Sequence, residues 1–157
     1  ILMFESRLEK RNITLEGLDS EPVQVWGDPD LIGQVIYNLF ENATKFVNTG
    51  GTITFTFKDE PNNTSIAIRN TGAGISKEEL PKIFERFYKS DDSRSHDKTG
   101  LGIGLDITKH IVRLHKAQIS VSSEEGEYTE FLIRLPKKDA PAESPTENPE
   151  KQPKDAR

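Results

Sequence analysis

The sequence contains no cysteine, which excludes disulfide bonds and thiolate metal sites. It also lacks an apolar run of about 18 residues, so no segment predicts a membrane span, and the opening "ILMF" is too short for a signal peptide. Positive charge is in deficit as well. The formal net charge of -5 argues against nucleic acid or an anionic membrane surface as a partner. Any anionic ligand must therefore be held by local geometry.

The length of 157 residues predicts one domain with a sizeable core. Residues 137–157 hold four of the nine prolines, charges of both signs and no large apolar side chain, which predicts a disordered tail. Residues 1–11 resemble the end of an upstream helix or linker, because Leu2, Phe4 and Leu8 lack partners within that segment. The body is therefore predicted to span residues 12–136.

The most regular pattern of the body predicts a long helix that begins at Asp28-Pro29. Aspartate is a favoured N-cap, and proline is favoured at the first helical position. Apolar residues then recur at helical spacing over about five turns. They are Leu31, Ile32, Val35, Ile36, Leu39, Phe40, Ala43, Phe46 and Val47.

Shorter patterns predict the rest of the body. "NITLE" and "PVQVWG" predict short strands, while "TITFTF" with "SIAIR" and "QISVSS" with "TEFLIRLP" predict two antiparallel hairpins. "SKEELPKIFERFY" predicts one or two short helices with Ser76 as N-cap. "GLGIGLDITKHIVRLHK" opens on glycines and then predicts a helix. We therefore expect an α/β fold with two layers, in which helices cover one face of a mixed, mostly antiparallel sheet.

Asn38 and Asn42 lie one turn apart at the border of the long helix's apolar stripe. Asparagine is a poor helix former, so the pair calls for a reason. One interpretation is that both amides bond to water or to a neighbouring turn. The other is that an amide oxygen coordinates Mg²⁺, which prefers oxygen ligands and bridges phosphates, with Lys45 facing the phosphate charge.

Glycines form a second unusual group, because "NTGAG" follows a strand and "GLGIGL" opens a helix. Both turns let the backbone approach a ligand closely, and a helix that begins at Gly102 to Gly104 presents free N–H groups to an anion such as phosphate. Glycine-rich turns before helices are also common without any ligand. The spacing matches neither the dinucleotide fingerprint nor the Walker P-loop.

Taken together and in order, "NLFENATKF", "NTGAGI", "KIFERFYK" and "GLGIGL" closely resemble the ATP-binding catalytic domain of sensor histidine kinases. That domain belongs to a superfamily with DNA gyrase, Hsp90 chaperones and mismatch-repair ATPases. The resemblance covers roughly residues 12–136 and implies an α/β sandwich with a flexible lid, here about residues 89–101. It also implies ATP and Mg²⁺ as ligands.

The resemblance assigns roles to individual residues. Asn42 would hold Mg²⁺ against the phosphates, and Asn38 and Lys45 would meet the phosphates or the metal. Gly72 and Gly74 would let the backbone approach the adenine. The other residues implied to bind nucleotide are Phe46, Asn70, Ile75, Tyr88, Lys89, Gly100, Leu101, Gly102, Gly104, Leu105 and Thr129.

Two asparagines bear on the expected activity and base binding. ATP-hydrolysing relatives have a glutamate where this chain has Asn38, and an amide cannot act as a base, so we expect slow hydrolysis and transfer of the phosphate to another acceptor. The family usually has aspartate where this chain has Asn70. We expect that loss of charge assistance to weaken adenine binding by about 1 kcal/mol, and we hypothesise that Asn70 relaxes the preference for ATP over GTP.

The resemblance implies that the chain transfers the γ-phosphate of ATP to a histidine on a separate dimerisation domain, for relay to a response regulator. His96, His110 and His115 are interpreted as ordinary surface or packing residues rather than the acceptor. We expect a cytoplasmic domain of a membrane-anchored bacterial sensor, without direct membrane or nucleic-acid contact. A non-catalytic nucleotide-binding interaction module and an anti-sigma-type serine kinase remain alternatives.

Overall fold

The computed structural model describes residues 4–85 and 104–138. Five of the predicted site residues, Tyr88, Lys89, Gly100, Leu101 and Gly102, lie outside the described residues, as do the predicted lid and nearly all of the predicted tail. None of the helices in the described part combines the length and apolar character needed to cross a bilayer.

Three helices and five strands make up the described fold. The helices are α1 (Glu5–Lys10), α2 (Pro29–Phe46) and α3 (Gly104–Leu114). The strands are β1 (Thr14–Glu16), β2 (Thr52–Asp59), β3 (Asn63–Thr71), β4 (Gln118–Glu124) and β5 (Tyr128–Pro136).

The five strands form one sheet in the order β1-β2-β3-β5-β4. β1 runs parallel to β2, and every other neighbouring pair is antiparallel. This confirms the predicted mixed, mostly antiparallel sheet with both predicted hairpins. The register places Asn70 of β3 opposite Thr129 of β5, and Ser123 of β4 opposite the same threonine.

The helices cover one face of this sheet, and the core lies between the two layers. Fully buried side chains come from α2 and from alternate positions of the three central strands; they include Leu39, Ile53, Ile68 and Ile133. Burying a side chain of this size contributes about 1.5–3 kcal/mol. The apolar stripe that predicted α2 is thus the face that holds the layers together. The predicted two-layer α/β sandwich is confirmed.

The start of α2 follows its predicted capping. The Asp28 carboxylate accepts hydrogen bonds from the backbone N–H groups of Asp30 and Leu31, and Pro29 occupies the first helical position. These bonds use donors that have no partner inside the helix.

Helix α1 packs into the same core as the rest of the fold. Phe4 and Leu8 are both buried, and the Phe4 ring contacts Phe40 edge-on with ring centroids 5.0 Å apart. Phe4 therefore finds its partners on α2, at Tyr37 and Phe40, whereas Leu2 lies outside the described residues.

One predicted strand is wrong, and one predicted helical segment forms no α-helix in its described part. Residues 22–27 form no strand: Trp26 is 52% exposed, so their alternating pattern does not mark a buried face. The contact with β3 is made by a side chain, since the Thr64 hydroxyl donates to the Gln24 carbonyl at 2.8 Å. Residues 76–85, the described part of the segment predicted as one or two short helices, contain turns and one 3-10 helix, Leu80–Lys82, and Pro81 has no N–H with which to extend an α-helix from Ser76.

Candidate functional site

The last turn of α2 meets the "NTGAG" loop that follows β3. Val47, directly after the helix, pairs with Gly72 in an isolated antiparallel bridge. A side chain at Gly72 would bring its Cβ to 2.4 Å from the Phe46 carbonyl oxygen. Asn42, Lys45 and Phe46 are therefore carried on a helix end that lies against the glycine loop, and two of the four predicted motifs meet here.

The Asn42 amide has no hydrogen-bond partner in the described part of the chain. The side chain is half-buried and makes no hydrogen bond within residues 4–85 and 104–138. No fully buried polar side-chain atom in those residues lacks a partner, so the Asn42 amide is reachable from outside the protein. An unpaired, accessible amide is what a ligand atom or a cation needs.

Asn38 is engaged differently. Its amide nitrogen donates to the Gly104 carbonyl at 3.3 Å and to the Thr108 hydroxyl at 3.2 Å, and its amide oxygen accepts from the Gln34 side chain at 2.8 Å. Asn38 therefore joins α2 to the first turn of α3. The structure brings this residue to the glycine-opened helix through Gly104, the one glycine of "GLGIGL" that it describes.

Asn70 and Thr129 form a buried polar pair on the face of the sheet that the helices cover. They are 3% and 5% exposed and lie directly opposite each other. The Asn70 amide nitrogen donates to the Thr71 carbonyl at 3.0 Å. Because a carbonyl can only accept, this bond fixes which end of the amide is nitrogen, and the Asn70 oxygen is left as an acceptor.

Ser123 is a residue of this site that the sequence analysis missed. Its hydroxyl donates to the Tyr128 carbonyl at 2.6 Å and accepts from the Ile75 backbone N–H at 2.8 Å. The Thr129 hydroxyl lies 3.1 Å away and donates the remaining bond, since a hydroxyl has one proton. The register of the β4–β5 hairpin, which places Ser123 opposite Thr129, is the sequence signal that could have found it.

The turn between β4 and β5 holds the glycine loop from the other side. Gly126 N–H donates to the Ala73 carbonyl at 2.6 Å, and Gly72 N–H donates to the Glu127 carbonyl at 3.1 Å. Gly74 has a φ of +69°, and a Cβ there would lie 2.3 Å from the Glu124 carbonyl oxygen. The chain's own packing thus requires glycine at positions 72 and 74, whatever else approaches them.

The remaining described site residues lie around this loop and the two helices. Ile75 and Leu105 are half-buried against the core, and the Phe46 side chain is 40% exposed. No group of three histidine, cysteine or acidic residues in the described part of the chain could hold a metal ion. A cation at this site would depend on amide oxygens, water and the oxygens of a bound ligand.

Comparison with known proteins places the chain in a family of known fold. A model of the family described as histidine kinase-, DNA gyrase B- and HSP90-like ATPases matches residues 27–139. The chain belongs to this ATPase family. Every residue assigned to the site from the sequence lies inside the matched range, and the family resemblance stated from the sequence is confirmed.

Individual members of the ATPase family are similar over most of the chain. It is 41% identical over 115 residues to the sensor protein SrrB of Staphylococcus aureus, a match that covers 73% of this chain and 20% of that protein. The solved catalytic domain of histidine kinase ThkA is 29% identical with a TM-score of 0.71, covering 86% of both chains. ThkA in complex with the response regulator TrrA matches at 26% identity and a TM-score of 0.68, covering 86% of this chain and 37% of that one.

Proposed function

We propose that this chain is the catalytic ATP-binding domain of a sensor histidine kinase. It spans a fifth of the length of SrrB, and the solved domain that it matches over 86% of both chains is the catalytic domain of a histidine kinase. The domain transfers the γ-phosphate of ATP to a histidine on a separate dimerisation domain, and a response regulator then receives it. The complex of ThkA with TrrA supports the second partner.

The nucleotide lies between two parts of the site. Its base contacts the base end, which we define as Asn70–Ile75 together with Ser123–Thr129. Its phosphates contact the residues Asn42–Phe46, which we call the phosphate end. They also contact the first turn of α3. The observation that carries this proposal is the Asn42 amide, which has no hydrogen-bond partner among the described residues, on a helix end that packs against the glycine loop.

The residues present fit a magnesium ion. Asn42 would hold it through its amide oxygen, with phosphate oxygens and water as the other ligands. When bound, the ion neutralises part of the phosphate charge, which helps a transfer that relies on positioning. Lys45, one turn further along, adds positive charge beside the phosphates.

Asn38 holds the first turn of α3 in this site instead of activating water. Its amide nitrogen already donates to Gly104 and Thr108, and an amide is no base. We therefore propose that the domain hydrolyses ATP slowly by itself. The γ-phosphoryl group is then transferred to the histidine acceptor rather than to water.

That acceptor lies outside this chain. Both ring nitrogens of His115 are used, one with the Asp28 N–H at 3.1 Å and the other with the Ile111 carbonyl at 2.8 Å, which makes this histidine a structural link between α2 and α3. Because ATP is made in the cytoplasm, we place the domain there, as part of a membrane-anchored sensor. Its net charge of -5 is consistent with no nucleic-acid partner.

Replacing Asn42 tests the site. We expect Asn42→Ala to weaken binding of a magnesium-bound, non-hydrolysable ATP analogue about 100-fold, measured by titration calorimetry. The melting temperature should stay unchanged, because the Asn42 side chain makes no hydrogen bond in the described residues. Asn62→Ala is the matched control, since Asn62 is an exposed asparagine in the β2–β3 turn. Equal affinity in Asn42→Ala and Asn62→Ala would remove Asn42 from the site.

Phosphoryl transfer needs its own test. The chain, joined to its native upstream helices and given labelled ATP, should form acid-labile, base-stable phosphohistidine. Acid-stable label on a partner's serine would favour the serine-kinase alternative instead. Nucleotide binding without any transfer would favour the interaction module.

A further inference from the structure

We propose that Arg11 is a positioning residue for the nucleotide site and that it makes the site respond to the position of α1. The proposal rests on the proposed function, because it concerns how the phosphate end is held. Arg11 lies before residue 27, where the family match begins.

Two carbonyls at the end of α2 accept hydrogen bonds from the Arg11 guanidinium. One bond runs to the Thr44 carbonyl oxygen at 2.8 Å, and the other runs to the Val47 carbonyl oxygen. The last carbonyls of a helix have no partner within the helix, and a cation there also interacts favourably with the helix dipole. Arg11 thus caps the C-terminal end of α2.

In the sequence, these two carbonyls lie on either side of two residues proposed to contact the nucleotide. Thr44 and Val47 are both 0% exposed, and Lys45 and Phe46 lie between them in the sequence. Val47 is also the residue that pairs with Gly72. The guanidinium therefore fixes the phosphate end where that end touches the glycine loop.

The backbone of Arg11 is tied to the same region. Its carbonyl accepts from Gly50 N–H at 2.8 Å, which fastens the turn that leads from α2 into β2. On its other side, Arg11 is the residue directly after α1, and its N–H donates to the Arg7 carbonyl at 3.3 Å. One residue thus connects α1, the end of α2 and the following turn.

Helix α1 packs against the core through Phe4 and Leu8, and Arg11 follows it directly, so a shift of α1 would carry Arg11 with it. A displacement of α1 would pull the guanidinium away from Thr44 and Val47 and release the last turn of α2. Nucleotide affinity would then fall. A partner that shifts α1 would control the site through this contact without touching the nucleotide.

The variant Arg11→Ala tests this in the full chain. We expect the dissociation constant of a magnesium-bound ATP analogue to rise about fivefold or more. Arg7→Ala makes the same substitution at an exposed position one turn earlier on α1 and should leave the affinity unchanged. Ile133→Val, a small core truncation on β5, controls for lowered stability alone.

Arg11→Lys keeps the positive charge and removes the guanidinium geometry. It also keeps the proposal testable if Arg11→Ala does not fold. A single ammonium cannot reproduce the planar fork that binds two carbonyls, so we expect an affinity between those of the wild type and Arg11→Ala. Equal affinity in the wild type, Arg11→Lys and Arg11→Ala would overturn the proposal and leave the proposed function standing.

Amide hydrogen exchange without nucleotide supplies an independent measurement. The Val47 and Asn48 amides should exchange faster in Arg11→Ala and Arg11→Lys than in Arg7→Ala. If the wild type fails to bind the ATP analogue, the proposed function fails, and this exchange comparison alone decides whether Arg11 positions α2. Unchanged exchange would then overturn the positioning role too.

Discussion

Hydrogen bonds within the chain hold the base end in place, whereas Asn42 at the phosphate end makes none in the described residues. The glycine loop is bonded on one side to the residues after α2 and on the other to the β4–β5 turn. Ser123 adds three bonds that join Ile75, Tyr128 and Thr129. The base end is therefore formed before any ligand arrives.

This difference fits the two parts of the ligand. A base is flat and uncharged, and a preformed surface binds it with little loss of conformational entropy. Phosphates bring charge and a metal ion, which supply their own partners to side chains such as Asn42. Substitutions at the base end should therefore lower stability and affinity together, and substitutions of Asn42 should lower affinity alone.

Gly74→Ala should break the base end most severely. The new Cβ would meet the Glu124 carbonyl oxygen at 2.3 Å, at a φ of +69°. We expect a loss of about 2–4 kcal/mol in unfolding free energy and no measurable nucleotide binding, tested by denaturant unfolding and calorimetry. Gly50→Ala is the matched control: its φ is +72°, but no atom lies within 4 Å of its Cβ, so only the backbone strain remains. Equal losses in both variants would show that contact with the β4–β5 turn is unimportant.

Ser123→Ala should have a smaller effect of the same kind. It leaves the Ile75 N–H without its acceptor, which lowers the unfolding free energy by about 1–2 kcal/mol. Because Ile75 anchors the glycine loop, nucleotide affinity should fall about threefold as well. Ser122→Ala, at the exposed neighbouring position on β4, should change neither quantity. Lower affinity at unchanged stability would contradict the comparison between the two ends.

The fold was predictable because its longest hydrophobic patterns match the faces that the helix and the strands bury. Most of the stripe from Leu31 to Val47 and the alternating hairpin strands report which face is buried, although Leu31 and Phe46 themselves are exposed. The strand predicted at residues 22–27 failed because alternation alone does not show that a neighbouring strand is present to pair with. The described residues after Ser76 form a 3-10 helix rather than an α-helix, because Pro81 outweighs a good N-terminal pattern.

Residues of the candidate site stand out in the sequence where they are unusual types for their position, and they are hidden where only the strand register or tertiary packing brings them together. Asparagines in a helix and glycines after a strand are visible in the sequence. Ser123 and Arg11 are ordinary residues, and their importance comes from partners 48 and 33 to 36 positions away. No local pattern contains that information, although the hairpin register comes close for Ser123.

The preference for ATP over GTP is the smallest effect that we expect, and it tests whether the base end is as fixed as its hydrogen bonds imply. The sequence alone suggested that Asn70 could turn its amide and accept guanine. In the structure the amide nitrogen is held by the Thr71 carbonyl, so only the oxygen is available, and it can accept from the adenine amino group but would repel the guanine carbonyl. We therefore expect ATP to bind about fivefold or more tightly than GTP, in competitive titrations with magnesium. Asn70→Ser shortens the side chain and should erase that preference while Asn62→Ser preserves it. Equal binding of ATP and GTP by the wild type would mean that the Asn70 amide turns, and that the base end is less fixed than its hydrogen bonds imply.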